Sequence, residues 1–443
     1  MDAIDTTMLT ILGVLGILAF LIILFTGLPV SFSMFLVGII GISIIRSPGA
    51  AFSMAAESIT RTFSSATMSV APMFILMGVI AGYSGIGASL VNTANKFIGH
   101  YRGGLASAVQ VVCAAFGAIC GSMPATIATI GTIAHPEMKK LGYDDKLSTG
   151  AISAGSTLAV LIPPSLTFIL YGIAATVSIG KLFASGIVTG IVLMFIYIIT
   201  VAIWCKIDPS IAPKSEKFSW RERWEAVKKG RILEIVIVFA VSIGGLFAGF
   251  FTPTEAGAVG SFGMLVVVVV TKKFDFKRFV QSLKETVRMT VFIYFLIAAA
   301  TLYGNFFSQS QIPMTLGNWL TNSGFSPFTI MLFITFAYWI LGFVVDIQAL
   351  VLLTIPVFYP IVSSLGFDGV WFGAYTVVVV GIGGLTPPVA LLCYVMHSVV
   401  KQEVELKEIF KGVMPFVFAG LVMMLLLAVL PQIATFLPNL LYG

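Results

Sequence analysis

The sequence predicts an all-α polytopic membrane protein made of two inverted repeats, with re-entrant hairpins and broken helices. Hydrophobic residues make up 58% of the 443 residues and charged residues only 10%, which leaves room for roughly ten to twelve spans of about 20 residues. A proline pair lies inside a long apolar stretch of each half, at Pro163–Pro164 and at Pro387–Pro388. Because proline removes a backbone donor and clashes with the preceding turn, each pair is expected to break its helix.

The two proline pairs lie at matching positions of a duplicated sequence. Residues 136–164 align without gaps onto residues 360–388, with seven identities over 29 positions, and these include both prolines of each pair. The same seven identities pair Gly142 with Gly366 and Asp144 with Asp368. Apolar bias does not supply matching prolines, glycines and aspartates, so we interpret the chain as a duplicated domain.

Apolar segments and turn signals divide the chain into two repeats. Repeat one is predicted over 1–206, a cytoplasmic connecting loop over 207–231, and repeat two over 232–443. Within repeat one we expect scaffold spans in 9–84 (9–27, 29–46, 67–84), a hairpin over 103–139, a broken helix over 144–177 and a span over 181–205. Within repeat two we expect scaffold spans in 232–306 (232–250, 254–271, 288–306), a hairpin over 326–364, a broken helix over 368–400 and a span over 412–436.

Each hairpin is expected to be re-entrant because its arms are short. Arms of about 16–18 residues give roughly 25 Å of helix, which need not reach the far side of a bilayer. Two full spans in place of each hairpin would give the same topology. The polar segments 49–64, 86–100, 274–287 and 311–324 are amphipathic and are expected to be interfacial helices that brace the scaffold.

Basic residues predict the orientation in the membrane. If the loop over 207–231 is cytoplasmic, 22 of the 25 Lys and Arg residues lie inside, and only Arg46, Arg61 and Lys181 lie outside. The N-terminus is then outside and the two repeats have opposite orientations. The net charge of +6 is thereby attributed to cytoplasmic loops, and nucleic acid is not expected as a partner.

The four helix interruptions, two hairpin tips and two proline breaks, are the candidate site. Broken helices in corresponding positions of two halves are the best sequence indication of a transporter's substrate and ion site. Carbonyls at helix ends can bind a hard cation such as sodium. Small or hydroxyl-bearing candidates for the ion site are Gly117, Gly121, Ser122 and Ser156 in repeat one and Gly342, Asp346, Gly381, Gly383 and Thr386 in repeat two. Polar candidates for substrate contact are Ser122, Thr126, Ser153, Ser165 and Gln348.

Close helix packing is the alternative explanation for small residues. We favour it for Gly186 and Gly190, and we favour the ion site for the glycines beside the proline pairs. Asp346 lies in a stretch of 112 residues, 289–400, without any Lys or Arg. Intramembrane carboxylates default to a functional role, although Asp346 could also cap a helix. Glu255, by contrast, completes a capping box with Thr252 and is expected to be structural.

The chain lacks the parts that other function classes need. There is no HExxH motif, no phosphate-binding glycine loop and no spacing of the four cysteines typical of a metal site, so an enzyme or ATP-driven pump is not expected. A channel would need a ring of filters or a charge-lined pore. Paired, inverted helix breaks favour alternating access instead.

Several segments resemble the large membrane subunit of tripartite ATP-independent periplasmic (TRAP) transporters. They are FTPTEAGAVG at 251–260, FGAICGSMPAT at 116–126, the run from LGYDD to YGIAATVSIGKLF across 141–183, GFVVD at 342–346 and GIGGLTPPV at 381–389. The resemblance implies a sodium-coupled elevator-type transporter of organic acids in the bacterial inner membrane. The resemblance adds Ile162, Pro163 and Pro387 to the expected sodium ligands. It implies two sodium sites, one where each hairpin tip meets the broken helix of its own repeat.

The resemblance also implies partners. A periplasmic binding protein would deliver the small organic anion, and a separate four-span membrane subunit would complete the transporter. A stand-alone sodium/carboxylate symporter or ion antiporter of similar architecture is the alternative within this fold. An intramembrane enzyme or a channel is the alternative from another class.

Overall fold

The computed structural model describes residues 6–213, 217–322, 324–343, 345–401 and 403–443, and every regular element in these residues is a helix. Seven of the described helices are long and apolar enough to cross a membrane, and one of them, Ile347–Ser364, is a hairpin arm. The arms Gly104–Cys120 and Pro327–Gly342 are shorter apolar helices. The protein is therefore an all-α polytopic membrane protein, as predicted. Re-entrance of the hairpins stays a prediction.

The first half contains its own scaffold helices, the first hairpin and the first broken helix. In chain order the helices are α1 (Thr6–Phe25), α2 (Val30–Ile45), α3 (Pro48–Ser64), α4 (Val70–Tyr83), α5 (Ile86–Ile98), α6 (Gly104–Cys120), α7 (Met123–Lys140), α8 (Asp145–Ser156), α9 (Leu166–Ala175) and α10 (Ile179–Ile207). Short 3-10 turns precede α4 at Ala66–Ser69 and follow α8 at Thr157–Val160.

The second half repeats this order with differences in the scaffold. Its helices are α11 (Trp220–Lys229), α12 (Ile232–Phe247), α13 (Pro253–Val270), α14 (Phe276–Gln309), α15 (Ile312–Asn322), α16 (Pro327–Gly342), α17 (Ile347–Ser364), α18 (Gly369–Leu385), α19 (Leu391–Val399), α20 (Leu406–Val429) and α21 (Gln432–Tyr442). The hairpin reversals fall between α6 and α7 and between α16 and α17.

The junction between hairpin and broken helix has the same backbone geometry in both halves. Gly142 and Gly366 each have φ of +82° and close a Schellman motif at the end of α7 and α17. Their N–H groups donate to Lys139 and Ser363 at 3.0 Å, positions related by the sequence alignment. Asp144 and Asp368 then cap α8 and α18 by accepting from backbone N–H groups two residues on. These matches support the duplication read from the sequence.

Two groups of helices share most of the internal contacts. Helices α1–α4 and α12–α14 pack on one another as a scaffold, and the hairpins pack with the broken helices, α10 and α20 as an inner group. The groups meet where α6 contacts α4 and where α17 contacts α14. Each hairpin therefore touches the scaffold through one arm.

Two predicted boundaries are wrong. Segment 274–287 is not a separate interfacial helix, because it continues into the next span as the 34-residue α14; neither Pro nor Gly occurs between Phe276 and Tyr303 to stop it. The last span, expected over 412–436, ends at Val429 and is followed by a second helix. Pro431 disfavours helical backbone at the preceding Leu430, which has φ of −123° and ψ of 72°.

Candidate functional site

The first broken helix loses its α-helical bonds before its proline pair. After α8, the 3-10 turn ends at Val160, and α9 begins only at Leu166. Ser165 caps α9, since its hydroxyl accepts from the Phe168 N–H at 3.2 Å and donates to the Val160 carbonyl at 2.5 Å. The hydroxyl therefore joins the two sides of the break.

The tip of the first hairpin lies directly on this break. Gly117 is in backbone contact with Ala159, and a Cβ at Gly121 would lie 2.9 Å from the carbonyl oxygen of Pro164. Gly121 also has φ of +61°, which glycine adopts without steric cost. Glycine at these positions permits the close approach of tip and break.

Helix α10 covers the same break from the other side. Gly186 contacts the carbonyl of Leu161, and Gly190 faces the side chain of Ile162. The expected role of these two glycines in close packing is confirmed, and it places them beside the candidate site.

The second hairpin meets the second broken helix in a similar way. A Cβ at Gly383 would lie 3.1 Å from the Cα of Gly342. The Trp339 indole N–H donates to the Thr386 hydroxyl at 3.2 Å, and that hydroxyl donates to the Ile382 carbonyl at 2.7 Å. Thr386 is thus held between the hairpin and the last turn of α18.

The two broken helices also touch each other. A Cβ at Gly381 would lie 3.8 Å from the Cβ of Thr157. The Tyr171 hydroxyl donates to the Gly369 carbonyl at 2.7 Å, joining α9 to the start of α18. The broken helices are therefore in contact, and each carries its own hairpin tip.

Both breaks offer carbonyl oxygens that accept no hydrogen bond within the described residues. They are the carbonyls of Ile162, Pro163 and Pro164 in the first break and of Thr386, Pro387 and Pro388 in the second. Unwound carbonyls with nearby hydroxyls are ligands that a hard monovalent cation accepts. Of the predicted ion-site residues, Gly117 and Gly121 thus lie on the first break. Gly342, Gly383 and Thr386 meet beside the second. Ser156 lies one residue before the 3-10 turn, and Asp346 contacts the start of its own helix.

Asp346 caps α17, which confirms that part of its expected behaviour. Its carboxylate accepts from the N–H groups of Gln348 at 3.0 Å and Ala349 at 3.4 Å. The residue is exposed, and no ion pair among the described residues includes it. Its role toward the ion stays a prediction.

Glu255 completes the predicted capping box. Its carboxylate accepts from the N–H and the hydroxyl of Thr252 at 2.8 and 2.9 Å, while the Thr252 hydroxyl accepts from the Glu255 N–H at 3.3 Å. The predicted capping role of this carboxylate is confirmed.

The predicted substrate residues lie in different surroundings. Thr126 and Ser165 are fully buried and donate to backbone carbonyls. Ser153 is also buried, and its hydroxyl has no partner among the described residues. Gln348 is half-buried on the second hairpin, and Ser122 lines a cavity. Their contact with substrate is untested.

A cavity of about 350 Å³ lies beside the contact of the first hairpin tip with the scaffold, and the sequence did not indicate its scaffold walls. It is lined by Ser122 and Cys120 of the hairpin, Gly78 and Tyr83 of α4, and Glu285 of α14. The Tyr83 hydroxyl donates to the Glu285 carboxylate at 2.9 Å. Because this pair spans 202 residues of sequence, no local pattern could have revealed it.

A polytopic helical protein whose interior is built from paired helix breaks and hairpin tips is a membrane transporter. The sequence model described as the DctM component of the tripartite ATP-independent periplasmic transporter matches residues 17–433. This chain belongs to that family.

Curated relatives have the same kind of role in their names. The chain is 32% identical to the C4-dicarboxylate TRAP transporter large permease protein of Pseudomonas aeruginosa, over 84% of this chain and 86% of the relative. It is 33% identical to the ectoine large permease protein of Halomonas elongata, over 85% and 87%. It is 29% identical to the sialic acid large permease protein of Vibrio cholerae, over 95% and 97%. These relatives are transporter permease subunits rather than enzymes.

A solved transporter structure shares the fold. The crystal structure of the Alcanivorax borkumensis YdaH transporter aligns with a TM-score of 0.63 and 14% identity, covering 85% of this chain and 87% of that one. At this identity the likeness concerns the fold alone.

Proposed function

We propose that this chain is the permease of a tripartite transporter that imports a small organic acid together with sodium. The observation that carries the proposal is the placement of the first hairpin tip on its proline break and of the second tip on the last turn before its break, together with carbonyls at both breaks that accept no hydrogen bond from the described residues. Gly121 on Pro164 and Gly342 on Gly383 define two such sites.

Each site offers oxygen ligands without a carboxylate in the break itself. Sodium binding there would tie a hairpin tip to its broken helix, since both elements would supply ligands. Such coupling would make closure of the tip depend on the ion, which is what symport requires.

The organic acid is assigned to the cavity in front of the first tip. Ser122, which caps the N-terminus of α7, lines this cavity. The positive N-terminal end of a helix favours an anion. Movement of the hairpin and broken helices against the scaffold would carry the bound anion across the bacterial inner membrane.

The proposed partners follow from family membership. A small membrane subunit would complete the permease and a periplasmic binding protein would deliver the substrate. Uptake into proteoliposomes tests this: transport should require the small subunit and a cognate binding protein together. Full transport by this chain alone would favour a stand-alone symporter or antiporter instead.

A further inference from the structure

Helix α11, in the loop between the two repeats, carries an unusual surface of exposed tryptophan and unpaired cations. Trp220 and Trp224 are 75% and 52% exposed. They lie one helical turn apart and therefore share a flank of the helix. Ala226 and Val227 are buried, so the side of the helix that carries them packs on the protein.

The packed flank fixes α11 to α5. The Thr93 hydroxyl of α5 donates to the Ala226 carbonyl at 3.4 Å. The Phe97 and Trp220 rings meet edge to face at 6.3 Å. The orientation of the exposed tryptophans is thereby set by the fold.

Four cations lie on α11 or near its start, and two of them lie over the tryptophan rings. The guanidinium of Arg223 lies 5.0 Å from the Trp220 ring centre and 5.7 Å from that of Phe97. Lys228 lies 6.0 Å from Trp224, and Lys96 lies 5.5 Å from Phe218. Lys217 precedes the helix and is exposed.

No ion pair among the described residues includes Lys96, Lys217, Arg223 or Lys228. The buried Nε of Arg223 also has no hydrogen-bond acceptor in the described part of the chain. We call Lys96, Lys217, Trp220, Arg223, Trp224 and Lys228 the anchor surface.

The nearby acids are engaged elsewhere. Glu225 pairs with Arg221 and Lys229 at 3.4 Å, and Glu234 pairs with Arg231 at 2.8 Å. Hydrogen bonds from the hydroxyl and N–H of Ser219 hold the pKa of Glu222 below its usual range, so this carboxylate remains charged. Among the described residues beside α11, Glu222 is the acid outside any ion pair, and the four cations outnumber it, so the described part of the anchor surface is cationic.

We propose that the anchor surface binds the phosphate headgroups of anionic phospholipids. Tryptophan rings settle at the boundary of headgroups and acyl chains, and lysine and arginine reach headgroup phosphates from the same level. Because α11 joins α10 of the inner group to α12 of the scaffold, lipid held here would fix the scaffold end of this connection at the membrane surface.

Brominated lipids in nanodiscs test the proposal with the full chain. Subtracting the fluorescence of a Trp220→Phe/Trp224→Phe variant from that of the unmodified protein isolates the fluorescence of the two exposed tryptophans. Headgroup-matched series of brominated phosphatidylglycerol and phosphatidylcholine should quench this component, with phosphatidylglycerol effective at a lower mole fraction. The double variant Lys217→Gln/Lys228→Gln should raise the mole fraction of phosphatidylglycerol for half-quenching by at least about fivefold.

A matched control removes the same charge from the same helix. Arg221→Gln/Lys229→Gln, whose side chains pair with Glu225, should leave the lipid preference unchanged. Equal quenching by both lipids in the unmodified protein would overturn the proposal. Quenching by neither lipid would also overturn it and would indicate that a protein partner or water covers the surface.

Discussion

Asp346 and Glu255 are both carboxylates at helix N-termini, yet their surroundings differ. Glu255 returns its carboxylate to the N–H and hydroxyl of its own capping residue, Thr252. Asp346 is itself the capping residue, at the tip of a hairpin. One carboxylate oxygen takes the hydrogen bonds in each residue, but Glu255 closes a reciprocal box with its capping residue, whereas Asp346 accepts from the N–H groups of Gln348 and Ala349 at the start of its helix.

Replacing Asp346 by Asn should therefore affect transport far more than folding. Asn caps helices about as well as Asp, so the stability cost should stay below about 1 kcal/mol. Loss of the charge should abolish most sodium-dependent uptake, measured in proteoliposomes beside thermal unfolding. Glu255→Gln is the control and should keep its sodium affinity, because Gln still completes a capping box. Normal uptake by Asp346→Asn would leave capping as the sole role of this residue.

The close contact at Gly121 can be tested against Gly366, which also has a positive φ but has room for a Cβ. Alanine at Gly121 should cost roughly 1–2 kcal/mol for its positive φ and should also collide with the Pro164 carbonyl. We expect sodium-dependent uptake to be lost. Alanine at Gly366, where φ is +82° and a Cβ would have nothing within 4 Å, should lose only the stability that the positive φ costs. Equal transport by the two variants at equal folded amounts would contradict the close approach of tip and break.

At the scale of elements, the helix breaks at the proline pairs, the hairpin reversals and the helix caps were predictable because each depends on a few neighbouring residues. Pro163–Pro164 and Gly142 act through local backbone geometry. The long α14 was missed because polarity changes along it without a residue that stops a helix. The contacts of each tip with its break, and Trp339 with Thr386, join distant segments and leave no periodic signal in the sequence.

The interface of α16 with α18 offers a matched pair of threonine hydroxyls. Thr386 bonds Trp339 beside the second break, and Thr335 bonds the Tyr375 hydroxyl at 2.9 Å farther along the same two helices. Thr386→Val should raise the sodium concentration for half-maximal uptake by about tenfold, the equivalent of one ligand worth about 1.4 kcal/mol. Thr335→Val should lower stability by about 1 kcal/mol and leave that concentration unchanged. An equal sodium concentration for half-maximal uptake in both variants would exclude Thr386 as a sodium ligand at the second break.

At the scale of the whole molecule, residues predicted to be cytoplasmic contact one another. Lys139 pairs with Glu403 at 3.2 Å and Lys146 with Glu408 at 3.3 Å, which joins the inner ends of the two repeats. The Lys273 ammonium donates to the Ser84 carbonyl at 3.1 Å. These contacts agree with the orientation derived from basic residues.

Cysteine labelling in cells checks this orientation. In a background without the four native cysteines, Lys217→Cys should react with an impermeant reagent only after the membrane is opened. Arg46→Cys, on the opposite side and exposed, should react in intact cells. The reverse pattern would invert the proposed topology.

The central claim, that the two breaks bind sodium to drive import, is tested most directly by uptake into proteoliposomes containing this chain, its small subunit and a cognate binding protein. An inward sodium gradient should drive accumulation of the organic acid without ATP, and an equal potassium gradient should not. The Gly121→Ala variant should lose this accumulation while remaining folded. Full accumulation with potassium in place of sodium, or strict dependence on ATP, would contradict the account.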